Sequence, residues 1–326
     1  MILFYTTGSQ ETGLGHLSRT LALMDTLKEN NMACHCLVNP DPVVLGALRD
    51  RNVLHTPMFD FEGFKSFIDA TQPQVLIIDT KAPLSDELRY AKSLGIKLVL
   101  IDCLNESRFL ADLVIYPNAH FDFKALDWTG FDGEVLGGAP YTIIHPKFIE
   151  ARNKLAHHNY RSRLMVSMGA TDPNNLTLKL VPWLYDLGIK VDVIIGPGFQ
   201  NVRALKKTKE TGIIFHENCS DLSQYLRLAS LFITTLGTSI YEAAVMKVPV
   251  VVISNFKSDE PDEKRLAKLP GITTLGYHEN LTETQFRLAI KSELLTVGSQ
   301  EESKAIGNLI DGQGTSRIVE RIAALC

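Results

Sequence analysis

The chain lacks several things that would each point to a function. Its five cysteines (Cys34, Cys36, Cys103, Cys219 and Cys326) are odd in number and scattered, with no Cys-x-x-Cys pair. That pattern argues against a zinc site or a disulfide framework, and predicts free thiols in a reducing, cytoplasmic setting. No run of lysines and arginines occurs and the formal net charge is −4, so nucleic acid is not an expected partner. No stretch approaches the ~20 unbroken apolar residues of a spanning helix, so no stable membrane insertion is expected. "MILFYTT" at the start has neither a basic n-region nor a cleavage site, and predicts a buried strand. His157 and His158 are adjacent and lack metal-ligand spacing, and no other histidine, cysteine or carboxylate cluster suggests a metal. No cofactor is expected.

What is present is ordinary globular composition: 326 residues, 45% hydrophobic and 21% charged. That length suggests two domains. Short apolar runs alternate with longer helical patterns. "ILFY", "ACHCLV", "QVLIID", "KLVLID" and "ADLVIYP" are strand candidates in the first half, with "HLSRTLALMDTLKEN" and "LSDELRYAKSLG" helical between them. Leu17, Leu21, Met24 and Leu27 fall on one face of the first helix. The second half restarts the alternation with "RLMVSM", "KVDVIIG", "GIIFHE", "LFITT" and "VPVVVIS". Helical patterns separate these too, including "NLTLKLVPWLYDLG", "NVRALKKTKETG" and "IYEAAVMK". Continuous apolar strands with helical crossovers imply parallel sheets covered on both faces. The expectation is α/β: two tandem, Rossmann-like, doubly wound domains, residues 1–150 and 151–326. The boundary falls around residues 140–162, where the strand rhythm is lost; the last ~45 residues look helical.

In open parallel sheets, ligands bind beyond the carboxyl ends of the strands, so the residues just after each strand matter most. "TGLGH" follows strand one and opens the first helix. Gly13-x-Gly15 is present, but Ser18 stands at the third glycine position and no acidic residue clearly ends strand two, so a dinucleotide fingerprint is poor. His16 falls in the first helical turn, where the helix dipole disfavours the imidazolium and a neutral ring can serve as a general base. The alternative is a histidine that merely caps the turn. Arg19 can reach a diphosphate or an acidic group, but a solvated helix face is the expected role.

"TTLGTSIYEAA" (234–244) carries Gly237, Thr238 and Ser239 from a strand into a helix, a natural anion cradle. Glu242 can accept hydrogen bonds from vicinal hydroxyls, or form a capping box with Ser239 as N-cap. In "VSMGATDPNNLT" (166–177), Gly169 turns the chain and Asp172 or Asn175 can cap the next helix. Asp79 and Asp102 each end a strand; they can orient a substrate, tune His16, or cap the following helix. The aromatics of "FDFEGFKSF" (Phe59, Phe61, Phe64, Phe67) and of "HFDFKALDWTGF" (Phe121, Phe123, Trp128, Phe131) read as core.

Gly-x-Gly-His-x-x-Arg, the "SMGATDPNNLT" loop and "LGTSIYEAAVMKVPVVVI", in that order, resemble a known family, as does "GGAPYTIIHPKF". The chain is similar to the UDP-sugar hydrolases of pseudaminic acid biosynthesis and the related spore-coat polysaccharide proteins, which belong with the B-type (GT-B) glycosyltransferases. The resemblance covers roughly residues 1–255. It implies two domains facing across a cleft, with a UDP-sugar held by the second. Gly237, Thr238 and Ser239 would hold phosphate, Glu242 ribose hydroxyls, and Gly169 would let the chain approach the diphosphate. Uracil would lie near Phe215–Asn218. Gly13 and Gly15 would also line the nucleotide-sugar site, in the turn that presents His16 as the catalytic base. The implied reaction is hydrolysis of a UDP-2,4-diacetamido-2,4,6-trideoxyhexose-like donor to UDP and free sugar. The alternatives are a glycosyltransferase with the same donor site and a non-catalytic nucleotide-sugar-binding protein. Where the hydrolases carry a short motif ending in Asn-Gln, this chain has Asn255 followed by Ser258 and Asp259. The basic residue expected before the Gly-x-Gly-His turn is also replaced, since "TTGSQET" holds only Glu11. The sugar and the acceptor therefore stay open.

Overall fold

The structure is a computed structural model that describes residues 1–326 except 155–160, 186, 208–211, 218, 220 and 297–307. His157 and His158, Asn218, and most of the helical pattern in 301–310 lie outside the described residues. By internal packing the chain divides into two compact units. The first comprises Met1–Ser9, Leu14–Pro146 and Gly312–Cys326; the second comprises Gln10–Gly13 and Lys147–Asp311.

The first unit is built on a seven-stranded sheet in the order β3-β2-β1-β4-β5-β6-β7. Its strands are β1 (Ile2–Thr6), β2 (Cys34–Val38), β3 (His55–Pro57), β4 (Val75–Asp79), β5 (Lys97–Ile101), β6 (Leu113–Tyr116) and β7 (Glu134–Gly137). Every pairing is parallel. Alternate residues feed opposite faces, which is why the central runs are apolar throughout. Ile2, Phe4, Val75, Ile77, Val99 and Ile101 pack under the first helix, Gly15–Glu29, where Leu17, Leu21, Met24 and Leu27 are all buried. Leu3, Leu76, Ile78, Leu98 and Leu100 pack on the other face with Phe64, Ile68 and Leu88 of two further helices.

β3 and β7 were not among the expected strands; both are short, partly exposed edge strands without a full apolar pattern. Phe64 is fully buried, and Phe61, Phe67, Phe121, Phe123, Trp128 and Phe131 pack against the same core. Phe59 departs from expectation: it is 78% exposed, just ahead of Asp60, the N-cap of its helix.

The C-terminal helix, Gly314–Ala323, also departs from a cut at residue 150. It packs on the first helix with Ile318, Val319 and Ile322 in the first unit's core. A Cβ at Gly314 would stand 2.2 Å from the Thr142 carbonyl oxygen, so only glycine permits that approach. Next to it, Thr315 Oγ1 donates to Ile144 O at 2.7 Å and accepts from Ile144 N at 2.9 Å.

The second unit holds a six-stranded parallel sheet in the order β10-β9-β8-β11-β12-β13. Its strands are β8 (Arg163–Ser167), β9 (Lys190–Ile194), β10 (Ile213–His216), β11 (Ala229–Thr235), β12 (Val250–Ser254) and β13 (Ile272–Tyr277). β13, a half-exposed edge strand, was again not expected from its sequence. Leu164, Val166, Val191, Val193, Leu231, Ile233, Val251 and Ile253 pack against Leu176, Leu180, Phe286 and Ile290. The expected helix over "NLTLKLVPWLYDLG" is broken. An α-helical stretch, Leu176–Leu180, gives way to a 3-10 turn, Val181–Leu184, at Pro182, which cannot donate within a helix.

Candidate active site

Strand order reverses direction at β1/β4 in the first sheet and at β8/β11 in the second. Such switch points leave a crevice at the strand carboxyl ends, because the connections on either side depart in opposite directions. The sequence-predicted residues fall at these two places. His16 follows β1 and Asp79 ends β4; Gly169 follows β8, while Gly237, Thr238 and Ser239 follow β11. Gly13 has φ +77° and turns the chain ahead of Gly15, the first residue of the helix.

The β1/β4 end is tied across by Thr6 Oγ1, which donates to Asp79 O at 3.0 Å, in register with the Thr6–Asp79 pair. On this base sits a buried ionic cluster. His16 Nδ1 is 2.6 Å from Asp79 Oδ1. Arg19, one turn further along the helix, donates from Nε to Asp79 Oδ2 at 3.0 Å and from Nη2 to Asp79 Oδ1 at 2.7 Å. Its Nη1 donates to Asp102 Oδ2 at 3.2 Å. Asn118 Nδ2 donates to Asp102 Oδ2 at 3.2 Å. Asp79 is fully buried, Arg19 is 6% exposed and His16 15%.

Arg19 is thus a correction to the expected solvated helix face. Its side chain turns toward the sheet because two carboxylates at the strand ends receive a charged, fork-shaped donor there. Nor does either aspartate cap the following helix. Leu84 is the N-cap after β4, and Asn105 caps the 3-10 turn after β5.

The charge states follow from these contacts. Burial opposes ionisation of Asp79, but the Arg19 guanidinium and the His16 hydrogen bond outweigh it and hold the carboxyl below its usual range. Burial likewise opposes the charge on Arg19, and Asp79 with Asp102 more than restores it. An ionised Asp79 is an acceptor only, so the proton on the short Nδ1 contact belongs to the ring. Arg19 Nη2 gives one of its two hydrogens to Asp79 Oδ1 and also lies 2.9 Å from Nδ1, but an Nδ1 that accepted from it would leave the 2.6 Å contact to the carboxylate without a proton. This tautomer is assigned from the hydrogen-bond pattern. It leaves the lone pair on Nε2, the arrangement a general base requires.

In the second unit, Gly169 has φ +81°, and Asp172 (φ +43°) and Asn175 (φ +53°) also occupy the left-handed region. Asp172 caps the next helix, accepting from Leu176 N at 2.7 Å and Thr177 N at 2.9 Å. Asn174 Nδ2 donates to Asn255 O at 2.9 Å, joining this loop to the segment after β12. The helix after β11 runs Ser239–Val245 with Thr238 at its N-cap and no side-chain cap. The expected capping box of Ser239 and Glu242 is therefore absent. The helix starts one residue earlier than the box requires, and Ser239 Oγ lies 3.1 Å from Thr234 Oγ1 instead. A Cβ at Gly237 would meet nothing within 4 Å, and its φ is not in the left-handed region. Phe215 and His216 end β10, with the His216 ring 2.7 Å from Asp192 Oδ1.

The five cysteines are free. Burial pushes the Cys34 and Cys36 thiols up to about 11 and about 12. No helix among the described residues is long and apolar enough to cross a membrane.

Comparison with known proteins adds the following. No family model matches the chain. An uncharacterised protein of Methanocaldococcus jannaschii, MJ1062, is 25% identical over 266 residues, which are 77% of this chain; the chain spans 55% of that protein's length. The spore coat polysaccharide biosynthesis protein SpsG of Bacillus subtilis is 20% identical, covering 96% of this chain and 95% of its own. A UDP-2,4-diacetamido-2,4,6-trideoxy-beta-L-altropyranose hydrolase of Campylobacter jejuni is 24% identical over 82% of this chain and 96% of its own. Among solved structures, MurG of Acinetobacter baumannii superposes with a TM-score of 0.69 at 14% identity, covering 99% of both chains. The spinosyn rhamnosyltransferase SpnG, solved with thymidine diphosphate, gives 0.69 at 14% identity over all of both chains. The fold is the two-sheet α/β fold of the B-type glycosyltransferases.

Proposed function

We propose that the chain is an enzyme of nucleotide-sugar chemistry, transferring a glycosyl group from a UDP-sugar, with His16 as the base. The observation that carries this reading is His16 Nδ1 held 2.6 Å from a buried, ionised Asp79 at the β1/β4 switch point. The acceptor's hydroxyl proton passes to Nε2 while its oxygen bonds to the anomeric carbon. The bond from that carbon to the phosphate oxygen breaks, and its electron pair leaves on UDP. Asp79 fixes the tautomer and balances the imidazolium that forms. A base held in this way serves proton transfer, which a non-catalytic binding protein does not carry out.

The nucleotide is assigned to the second unit's loops. Gly237, Thr238 and Ser239 receive phosphate at a helix start, Gly169 lets the backbone approach the diphosphate, and Glu242 takes the ribose hydroxyls. The open space at the Gly237 Cβ position supports this, since nothing in the protein itself requires glycine there. Uracil is assigned near Phe215 and His216, and Gly13 and Gly15 shape the turn that presents His16.

The solved-structure comparisons favour transfer to an acceptor over hydrolysis, since the neighbours reported include rhamnosyl- and forosaminyltransferases. Hydrolysis, with water in the acceptor's place, is the second reading. The Campylobacter hydrolase supports it, being matched over nearly its whole length. The test is UDP release from UDP-2-acetamido and UDP-2,4-diacetamido sugars, with and without sugar acceptors, beside His16→Gln. Acceptor-dependent release that His16→Gln abolishes is expected; acceptor-independent release would establish the hydrolase. Undiminished release by His16→Gln would overturn the role of His16, and no release from any donor would overturn the enzyme reading.

A further inference from the structure

The His16 cluster contains one carboxylate more than Arg19 needs. With a neutral imidazole, Asp79 and Asp102 carry two negative charges against one positive charge on Arg19, a net charge of −1 by simple addition of the ionised forms. Asp79 already receives two of the three guanidinium hydrogen bonds. Asp102 receives the third, from a backbone with φ +61°, in the left-handed region that aspartate tolerates better than most residues. Its own N–H remains in the sheet, donating to Ile115 O at 2.8 Å, so the ladder is intact up to the left-handed residue. Asn118, two residues beyond β6, holds the carboxylate from the other side. Three strands thus converge to keep a second negative charge against Arg19, with 21% of the Asp102 side chain exposed.

We infer that Asp102 is a positioning residue for the base, acting on His16 through Arg19, and that its surplus charge favours the imidazolium formed when His16 takes up a proton. The inference rests on the reading of His16 as the base. Asp79 from β4 and Arg19 from the ring's own helix face the imidazole directly, and Asp102 from β5 reaches it only through the guanidinium. With Asp102 ionised, proton uptake brings the cluster from −1 to zero. With Asp102 neutral, the same proton would take it from zero to +1 in a site only 15% exposed. Asp102 also keeps one Arg19 nitrogen occupied, so the guanidinium is shared instead of acting on Asp79 alone.

Asp102→Asn separates charge from shape. Asparagine tolerates the left-handed conformation, its Oδ1 can still accept from Arg19, and only the charge is lost. Asp102→Gly is the second variant, with backbone freedom kept and the side chain absent. Two readouts are needed. One is ring-15N histidine NMR of the full chain, with the His16 signal identified by its loss in His16→Gln. The other is the pH profile of kcat/KM for UDP release.

Removing a nearby negative charge disfavours the protonated ring. Both variants should therefore lower the His16 titration midpoint by about half a pH unit or more. The acidic limb of the profile should move down with it, and kcat should fall several-fold with KM nearly unchanged. An unmoved midpoint and limb, in variants that fold, would overturn the inference while leaving the base reading intact. Lost activity without a limb shift would reduce Asp102 to a structural role and overturn it equally. Full activity in His16→Gln would overturn both readings, whatever Asp102 does.

Discussion

Arg19 offers the sharpest test of the buried cluster. Replacing it with methionine keeps much of its length and removes the charge. Asp79, fully buried, and Asp102 would then lose three charge-assisted hydrogen bonds together. Removing one partner of a buried ion pair typically costs about 3–5 kcal/mol, because the remaining charge is left without compensation. At 6% exposure Arg19 warrants no discount for solvent screening. An arginine on a solvated helix face would cost less than about 0.5 kcal/mol.

The chain provides its own reporters, since Trp128 lies in the first unit and Trp183 in the second. In a Trp183→Phe background, urea unfolding followed by fluorescence reports on the first unit. With a slope of about 2 kcal/mol per molar, Arg19→Met should lower the midpoint by roughly 1.5–2.5 M. Arg19→Lys, which keeps the charge but not the fork, should lie between wild type and Arg19→Met. A midpoint shift below about 0.3 M for Arg19→Met, at an unchanged slope, would refute the buried cluster.

Other outcomes follow from the same geometry. Asp79→Asn should lower kcat by about 10²- to 10⁴-fold, by freeing the ring to adopt the wrong tautomer; a loss under tenfold in steady-state UDP release would contradict that role. The folded-state pKa of Asp79 is depressed, so its stabilising effect is present above the unfolded value of about 3.9 and is lost as pH falls through the folded value. Urea midpoints of the first unit should accordingly fall below about pH 4, and Asp79→Asn should flatten that limb. Gly237→Ala has ordinary φ and open space, so stability should change by less than about 0.5 kcal/mol. UDP affinity, read by calorimetry, should fall tenfold or more, and unchanged affinity would remove Gly237 from the phosphate site.

The central strands were legible because residues such as Val75–Ile78 and Val250–Ile253 are buried on both faces, leaving continuous apolar runs. β3, β7 and β13 were not, because each is an edge strand whose half-exposed residues leave no full apolar run; β10, also an edge, was legible because it keeps Ile213, Ile214 and Phe215 in succession. Within the candidate site, Gly-x-Gly-His announced itself locally. Arg19 did not: its partners stand 60 and 83 residues away, and only the folded sheet brings them together. Tuning of His16 was one of three roles open to Asp79, and only the short contact to the ring distinguishes it from the other two. Phe59 failed for a related reason, since an aromatic inside an aromatic-rich stretch carries no mark of which side of its helix start it occupies.

The return of Gly314–Ala323 to the first unit has a consequence for the order in which the chain matures. A nascent chain emerges from the ribosome N-terminus first, and domains ordinarily fold as they appear. Here the helix carrying His16 and the sheet carrying Asp79 are made early, while Ile318, Val319 and Ile322, which complete the core beside that helix, are made after Lys147–Asp311. Lys147–Asp311 can complete its fold while its predecessor still waits, partly uncovered, for its last helix. During that interval the part of the core that Ile318, Val319 and Ile322 complete stays uncovered, and transiently exposed apolar surface of this kind is what chaperones bind and what aggregates.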